Sequence, residues 1–269
     1  MTISIFAQIR TLNEEFRIQR RVVGAIMLRE FLTRWGRRTL GFGWLFVEPL
    51  VFAFPVLLVW HFLRPGYQHG LPMMAFLWTG YMPLLIFRHV TGYAINTVKN
   101  NMYLLYHNPI TPLDIFVARS GLEALGMISS TFISFIVFIM LGALEWPLNF
   151  PVFLMGFLFM TWWALAVALI LAALTERSEN VVHVWQPMAY LYIVICGFFF
   201  AAGELPLSLR RVALAIDPPL HAYEMIRGGL FGSVYHAYYD AVYLTYILLI
   251  FTFIGLWQMR RVREFLDIE

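Results

Sequence analysis

The 269 residues predict an all-α, polytopic membrane protein. Its parts are six transmembrane helices, an N-terminal amphipathic interface helix, and a re-entrant hairpin on the outer face before the last span. Three observations lead there. Hydrophobic residues make up 61% of the chain and charged residues only 13%, against about 25% charged in a soluble domain. Apolar runs recur at lengths of about 20 residues, enough to cross a hydrocarbon core of roughly 30 Å. Finally, outside those runs, thirteen Lys and Arg fall on one side and four on the other. The positive-inside rule then puts both termini in the cytoplasm.

Residues 1–44 read as a cytoplasmic arm. They carry eight arginines and no lysine before Trp44. Val23, Ile26, Met27 and Phe31 form one apolar stripe, with Arg17, Arg20, Arg21 and Arg29 on the remaining surface. This pattern predicts a helix along the inner interface with arginines at headgroup level. The charged, amphipathic start has no cleavable-signal pattern, so the arm is expected to be retained. The runs at 45–63, 72–95, 115–143, 150–174, 184–203 and 241–259 are the expected spans, within a membrane domain of residues 45–259, and 260–269 form a cytoplasmic tail. The fifth of these spans, 184–203, qualifies despite Pro187. The single cysteine, Cys196, excludes an intramolecular disulfide.

Connections 64–71 and 144–149 are short and predict tight hairpins. The long one, 204–239, has its own helical periodicity. Leu209, Val212, Ala213 and Ile216 lie at i, i+3, i+4 and i+7, with Arg210 and Arg211 off the stripe. Asp217-Pro218-Pro219 breaks the pattern. A second stripe follows through Leu220, Tyr223, Ile226 and Leu230, ending near Gly228, Gly229 and Gly232. Two short helices with a sharp corner predict a re-entrant or interfacial hairpin; the alternative is a loop lying on the membrane surface.

The connection 96–114 has polar flanks around an apolar, aromatic centre, Met102-Tyr103-Leu104-Leu105-Tyr106. Thr111, Pro112 and Asp114 suit the N-cap, N1 and N3 positions of the third span. A short amphipathic helix with such a knob either docks in a partner's groove or lies on the bilayer. Ionisable groups within or beside spans each need a partner or water. Arg119 and Glu123, spaced i, i+4, can satisfy each other. Glu48 can accept from Arg37, Arg38 or Arg88. Arg88, deeper and next to His89, either pairs in this way or faces an aqueous path as a cation for an anionic substrate. Trp162, Trp163, Trp185, Tyr190, Tyr192 and Phe198 to Phe200 offer aromatic faces of the kind that stack on sugar rings, or serve ordinary packing. There is no GxxxxGK[ST] loop for ATP, no HExxH, and no local pair of histidines for a metal.

The segment Arg29-Glu30-Phe31, Thr33-Arg34, Gly36-Arg37, Leu40-Gly41, Trp44 and Glu48-Pro49 resembles the membrane permease of type-2 ABC exporters, in particular those of capsular polysaccharide. The likeness extends over nearly the whole chain. It implies a homodimer joined to two ATP-binding cassette subunits, which hold ATP and Mg; this chain would hold no cofactor and would not itself be an enzyme. It implies a lipid-linked anionic polysaccharide moved across the bacterial inner membrane and handed to periplasmic and outer-membrane export proteins, with no role for nucleic acid. On the same likeness, Arg34, Arg37 and Arg38, with Trp44 and Arg88, meet the substrate and its linker on the cytoplasmic side. The segment 96–110, through Tyr103, Leu104, Leu105 and Tyr106, is the coupling helix to the ATPase. The hairpin 204–239, with Arg210, Arg211, Asp217, Tyr223 and Arg227, is the outer gate. ATP binding in the partner would close its dimer and move the first and fifth spans at the dimer seam. O-antigen and teichoic-acid exporters share this outline. A membrane enzyme acting on lipid-linked sugars and a secondary transporter are the other readings; the first lacks a catalytic constellation and the second an internal repeat.

Overall fold

The computed structural model describes residues 2–35, 67–68, 71–106 and 110–266, together with Gly43, Val47, Val51, Phe54, Pro55, Leu58, Val59 and Phe62. The first expected span therefore lies outside the described residues apart from those few positions. Eight helices are described: α1 (Thr2–Trp35), α2 (Met73–Ala94), α3 (Pro112–Met140), α4 (Phe150–Thr175), α5 (Asn180–Ile195), α6 (Leu207–Ile216), α7 (Pro218–Phe231) and α8 (Ala241–Leu266). A two-residue antiparallel pairing, Tyr67 with Pro72 and Gln68 with Leu71, precedes α2. Among the described residues three helices, α3, α4 and α8, are long and apolar enough to cross a membrane.

α4 is the hub, packing on α2, α7 and α8. Its interface with α7 depends on residues without side chains. A Cβ on Gly156 would come 2.6 Å from Ile226 Cγ1, and one on Gly229 would collide with the backbone of Phe153. Small residues allow this close approach, which is how helices associate where lipid removes the hydrophobic drive. We expect Gly229→Ala to lower the melting temperature of the purified chain in detergent, by about 1–3 kcal/mol of overpacking. Gly24→Ala, where the new methyl meets nothing within 4 Å, should be neutral or slightly stabilising, since alanine favours helix.

The centre of the core is aromatic. Trp78 of α2 is fully buried among Phe135, Phe153 and Phe157, at centroid distances of 5.3, 6.3 and 5.8 Å. Its indole N–H donates to Ser134 Oγ at 3.1 Å, so the buried polar atom is satisfied. α8 is different. Its residues Val242, Tyr246, Ile250, Phe253 and Trp257 point outward and exposed, as a helix facing lipid requires.

Three expectations are modified. The stripe of α1 expected to meet lipid is turned toward protein: Ile26 is buried with Leu104, Ile115 and Ala118, and Val23 and Met27 pack beside it. The periodicity is real, but its partner is supplied from residues 104–118. The fifth span, expected over 184–203, is helical only to Ile195. Gly197 then takes a positive φ of +75°, a conformation glycine adopts without strain, and the chain turns inward so that Cys196 and Phe198 are buried. At 16 residues this helix extends about 24 Å. Third, the apolar stripe of α6, Leu209, Val212 and Ile216, faces outward, whereas Leu220, Tyr223, Ile226 and Leu230 of α7 are all buried as the pattern implies. The corner between the two helices falls at Asp217, as expected.

Candidate functional site

Within the segment expected to be the coupling helix, 96–110, the structure has a six-residue 3₁₀ turn, Lys99–Leu104, not a regular α-helix; residues 107–109 lie outside the described residues. Asn101 breaks the regular geometry there, with φ −129°, and its side-chain amide donates to Thr97 O at 2.9 Å. Such local side-chain bonding competes with helix. The four expected coupling residues divide. Tyr106 is 84% exposed and Tyr103 55%, while Leu104 is buried and Leu105 half-buried against the α1 cluster. Two leucines anchor the turn and two tyrosines stand out from it. Thr111 and Asp114 form a complete capping box, with Asp114 N donating to Thr111 Oγ1 and Thr111 N to Asp114 Oδ2 at 2.8 Å.

Arg29 ties this turn to α1. Its guanidinium donates to Glu30 Oε1 at 2.6 Å and to Asn101 Oδ1 at 3.1 Å, and lies 5.2 Å from the Tyr103 ring. Arg119 and Glu123, expected to satisfy each other, each have a partner on another helix. Arg119 Nε lies 3.5 Å from Glu30 Oε2, and Glu123 Oε1 lies 3.2 Å from His89 Nδ1.

Arg88 sits at the junction of two grooves. One, of about 390 Å³, is lined by Tyr81, Leu85, His89, Gly92 and Tyr93. The other, of about 240 Å³, lies between α2 and α5 and is lined by Thr91, Ile95, Trp185, Gln186 and Tyr190. The Arg88 guanidinium lies 4.8 Å from the Tyr190 ring centroid. A half-buried cation framed by aromatic faces suits an anionic, sugar-bearing ligand. Of the other residues expected beside Arg88, Arg37, Arg38 and Trp44 lie outside the described residues, as do the side chain of Arg34 and all of Glu48.

The residues expected at the outer gate hold the hairpin together, with one exception. Arg227 is 0% exposed. It donates to Phe200 O at 2.7 Å and Phe198 O at 3.1 Å, with its guanidinium 4.1 Å from the Phe76 ring. Arg210 donates to Ala202 O, Gly203 O and Leu205 O at 2.9–3.1 Å and stacks 4.1 Å from Tyr238. Tyr223 is buried, its hydroxyl 3.6 Å from Cys196 Sγ. Arg211 alone of the five is exposed. Sequence reasoning missed Glu224, which is fully buried and accepts from Ala202 N at 2.9 Å, Tyr235 OH at 2.6 Å and Tyr238 N at 2.9 Å. Its position in α7, one turn before Arg227 on the buried side, was the available signal. Among the described residues no three His, Cys, Asp or Glu side chains converge as a metal ion would need.

Asp217 accepts from Tyr192 OH at 3.3 Å through Oδ1; among the described residues Oδ2 is buried without a hydrogen-bond partner. Burial raises the Asp217 carboxyl to about 7, with the Tyr192 hydroxyl opposing. In an unfolded chain the same group titrates near 3.9. The folded state therefore binds this proton more tightly, and stability declines as pH rises from about 4 through 7, by at most about 4 kcal/mol. Asp217→Asn should flatten that slope and raise the melting temperature at neutral pH, read as melts from pH 4 to 8.

The ABC-2 type transporter family model matches residues 21–231. The chain belongs to that family. As an ABC-2 transporter chain it is similar to the capsule polysaccharide export inner-membrane protein CtrC of Neisseria meningitidis serogroup B, with 35% identity over 243 residues, 90% of this chain and 91% of the relative. It is also similar to the capsule polysaccharide export inner-membrane protein BexB of Haemophilus influenzae, 33% identical over 85% of this chain and 86% of the relative. The polysialic acid transport protein KpsM of Escherichia coli is 24% identical over 93% of this chain and 96% of that protein. The matched ABC-2 region covers the turn at 99–104, the Arg88 grooves and most of residues 204–239. With its long apolar helices, this ABC-2 chain is a multi-pass membrane protein.

Proposed function

We propose that this chain is the membrane subunit of an ATP-driven exporter that moves lipid-linked polysaccharide of the capsular type from the cytoplasm across the bacterial inner membrane. The similarity to CtrC over nine-tenths of both chains carries the reading. Six spans with both termini cytoplasmic, α1 along the inner face, and a re-entrant hairpin of α6 and α7 on the outer face complete it. Two copies form the channel. Two ATP-binding cassette subunits hold ATP and Mg and press on Tyr103 and Tyr106, so this chain contributes no hydrolysis of its own. Periplasmic and outer-membrane proteins receive the polymer.

Within that frame Arg88 meets the anionic part of the substrate and Tyr81, Tyr93 and Tyr190 offer faces to its sugars. The grooves beside Arg88 support this assignment. Loss of a hydrogen bond to a charged group costs about 1.5–3 kcal/mol. Arg88→Ala should therefore reduce export roughly tenfold or more while the assembled complex still hydrolyses ATP, and Arg88→Lys should recover part of it. Export by the alanine variant at the parental rate would refute the assignment. The proposal as a whole is tested by co-purification in mild detergent. An ATP-binding subunit retained in stoichiometric amount, with ATPase activity that responds to this chain, supports it. Turnover of lipid-linked sugars by the chain alone would replace it with the enzyme reading.

A further inference from the structure

The corner between α4 and α5 carries a polar device that the channel does not require. Glu176, the residue after α4, turns its carboxylate to the coupling segment. Oε1 accepts from Val98 N and from Lys99 N, both at 3.1 Å. Beside it, Thr175 Oγ1 accepts from Asn96 N at 3.3 Å, and Asn96 holds a left-handed φ of +52°. Val98 is the N-cap residue of the 3₁₀ turn that bears Tyr103. Three amides at the head of that turn are thus received by two adjacent side chains of a different helix, about 78 residues away in sequence. Burial raises the Glu176 carboxyl, and the Lys99 and Val98 amides and the Lys99 charge oppose this. Lys99 Nζ adds an ion pair to Glu179 Oε1 at 2.7 Å, but both side chains are more than half exposed and such pairs are worth little. The Glu176 carboxylate is the firm link.

We propose that Glu176 is a positioning residue for energy coupling: it locks the turn carrying Tyr103 and Tyr106 to the α4–α5 corner, so that displacement of the tyrosines is carried into the helix hub. This rests on the coupling role given above to those tyrosines. Without the carboxylate the turn keeps the Leu104 cluster and the Arg29–Asn101 bond on the α1 side, while its hold on the α4–α5 corner falls to the 3.3 Å Asn96–Thr175 bond and the exposed Lys99–Glu179 pair. A push on it is then absorbed locally, while α4, which packs on α2, α7 and α8, stays put. Glutamine at this position keeps a carbonyl oxygen that can accept both amides; alanine does not.

The test uses the assembled complex with its ATP-binding subunit, in cells and in proteoliposomes. Three quantities are read: complex recovered, ATP hydrolysed per complex, and polymer exported per ATP. For Glu176→Ala the expected result is normal recovery and hydrolysis, with export per ATP reduced roughly tenfold, a coupling loss of ordinary size. Glu176→Gln should restore export per ATP. If Glu176→Ala lowers recovery, hydrolysis and export in proportion, the residue only stabilises the loop and the proposal fails. It fails also if export per ATP is unchanged, or if glutamine does no better than alanine. Should Tyr103→Ala with Tyr106→Ala export normally, the coupling role of the turn itself is wrong, which is a separate outcome from failure at Glu176.

Discussion

With Tyr103→Ala and Tyr106→Ala combined, export falls to background while the chain still inserts and accumulates. Both side chains are exposed and contribute nothing to the core. Leu104 remains in its cluster with Ile26, Ile115 and Ala118, so the turn keeps its seat. What disappears is the surface presented to the ATP-binding partner. An aromatic anchor at the centre of an interface costs about 2 kcal/mol or more when truncated; two of them weaken docking roughly a thousandfold. The measurements are surface polymer, chain abundance in the membrane, and retention of the ATP-binding subunit on purification. Loss of export with unchanged abundance and reduced retention is expected. Full export by the double variant would remove the coupling assignment. Leu104→Ala gives a different result, loss of the chain's own stability, because that side chain is buried.

The second large effect is on stability. Arg227→Ala removes a fully buried guanidinium that satisfies Phe198 O and Phe200 O and covers the Phe76 ring. Two carbonyls lose their donor, each costing about 1–3 kcal/mol when buried, and the truncated side chain leaves a cavity. A total of roughly 3–5 kcal/mol is expected, seen as a lower melting temperature and as protease cleavage within 196–206. Arg211→Ala, at an exposed position in α6, should leave both readouts unchanged. The pair separates two roles that share one residue type. A gate cation in contact with substrate would affect transport without affecting the fold, and Arg227 should do the reverse. If Arg227→Ala is as stable as the parent, the internal role drawn from its bonds is wrong.

Much of the architecture follows from local pattern. Apolar length set the bounds of α2, α3 and α4 and the start of α8 to within a few residues of the observed ones, because a helix that faces lipid or core must be apolar throughout; α8 itself runs past the expected 259 to Leu266. The corner at Asp217 follows from two prolines that cannot continue a helix. The start of α3 follows from Thr111, Pro112 and Asp114, whose capping box is a local bond set complete within four residues.

Partner choice is another matter. Periodicity showed that α1 has an apolar stripe, and only the tertiary structure turned it onto Leu104 and Ile115. Likewise an arginine in an outer loop reads as a gate residue, yet Arg227 and Arg210 point to carbonyls of 198–205 that no spacing rule connects to them. The end of α5 at Ile195 went unseen because Gly197 lies within an otherwise apolar run, and hydropathy does not register a positive φ. Glu176 and Glu224 were passed over because each receives amides from distant chain positions. The sequence by itself determined which segments are apolar, where capping residues and prolines start α3 and end α6, and the class of membrane protein. The tertiary structure decided which polar side chain meets which backbone group. The physical reason is range: hydrophobic period and capping act within a few residues, whereas a buried carboxylate or guanidinium is satisfied by whatever donor or acceptor the packed helices bring within about 3 Å.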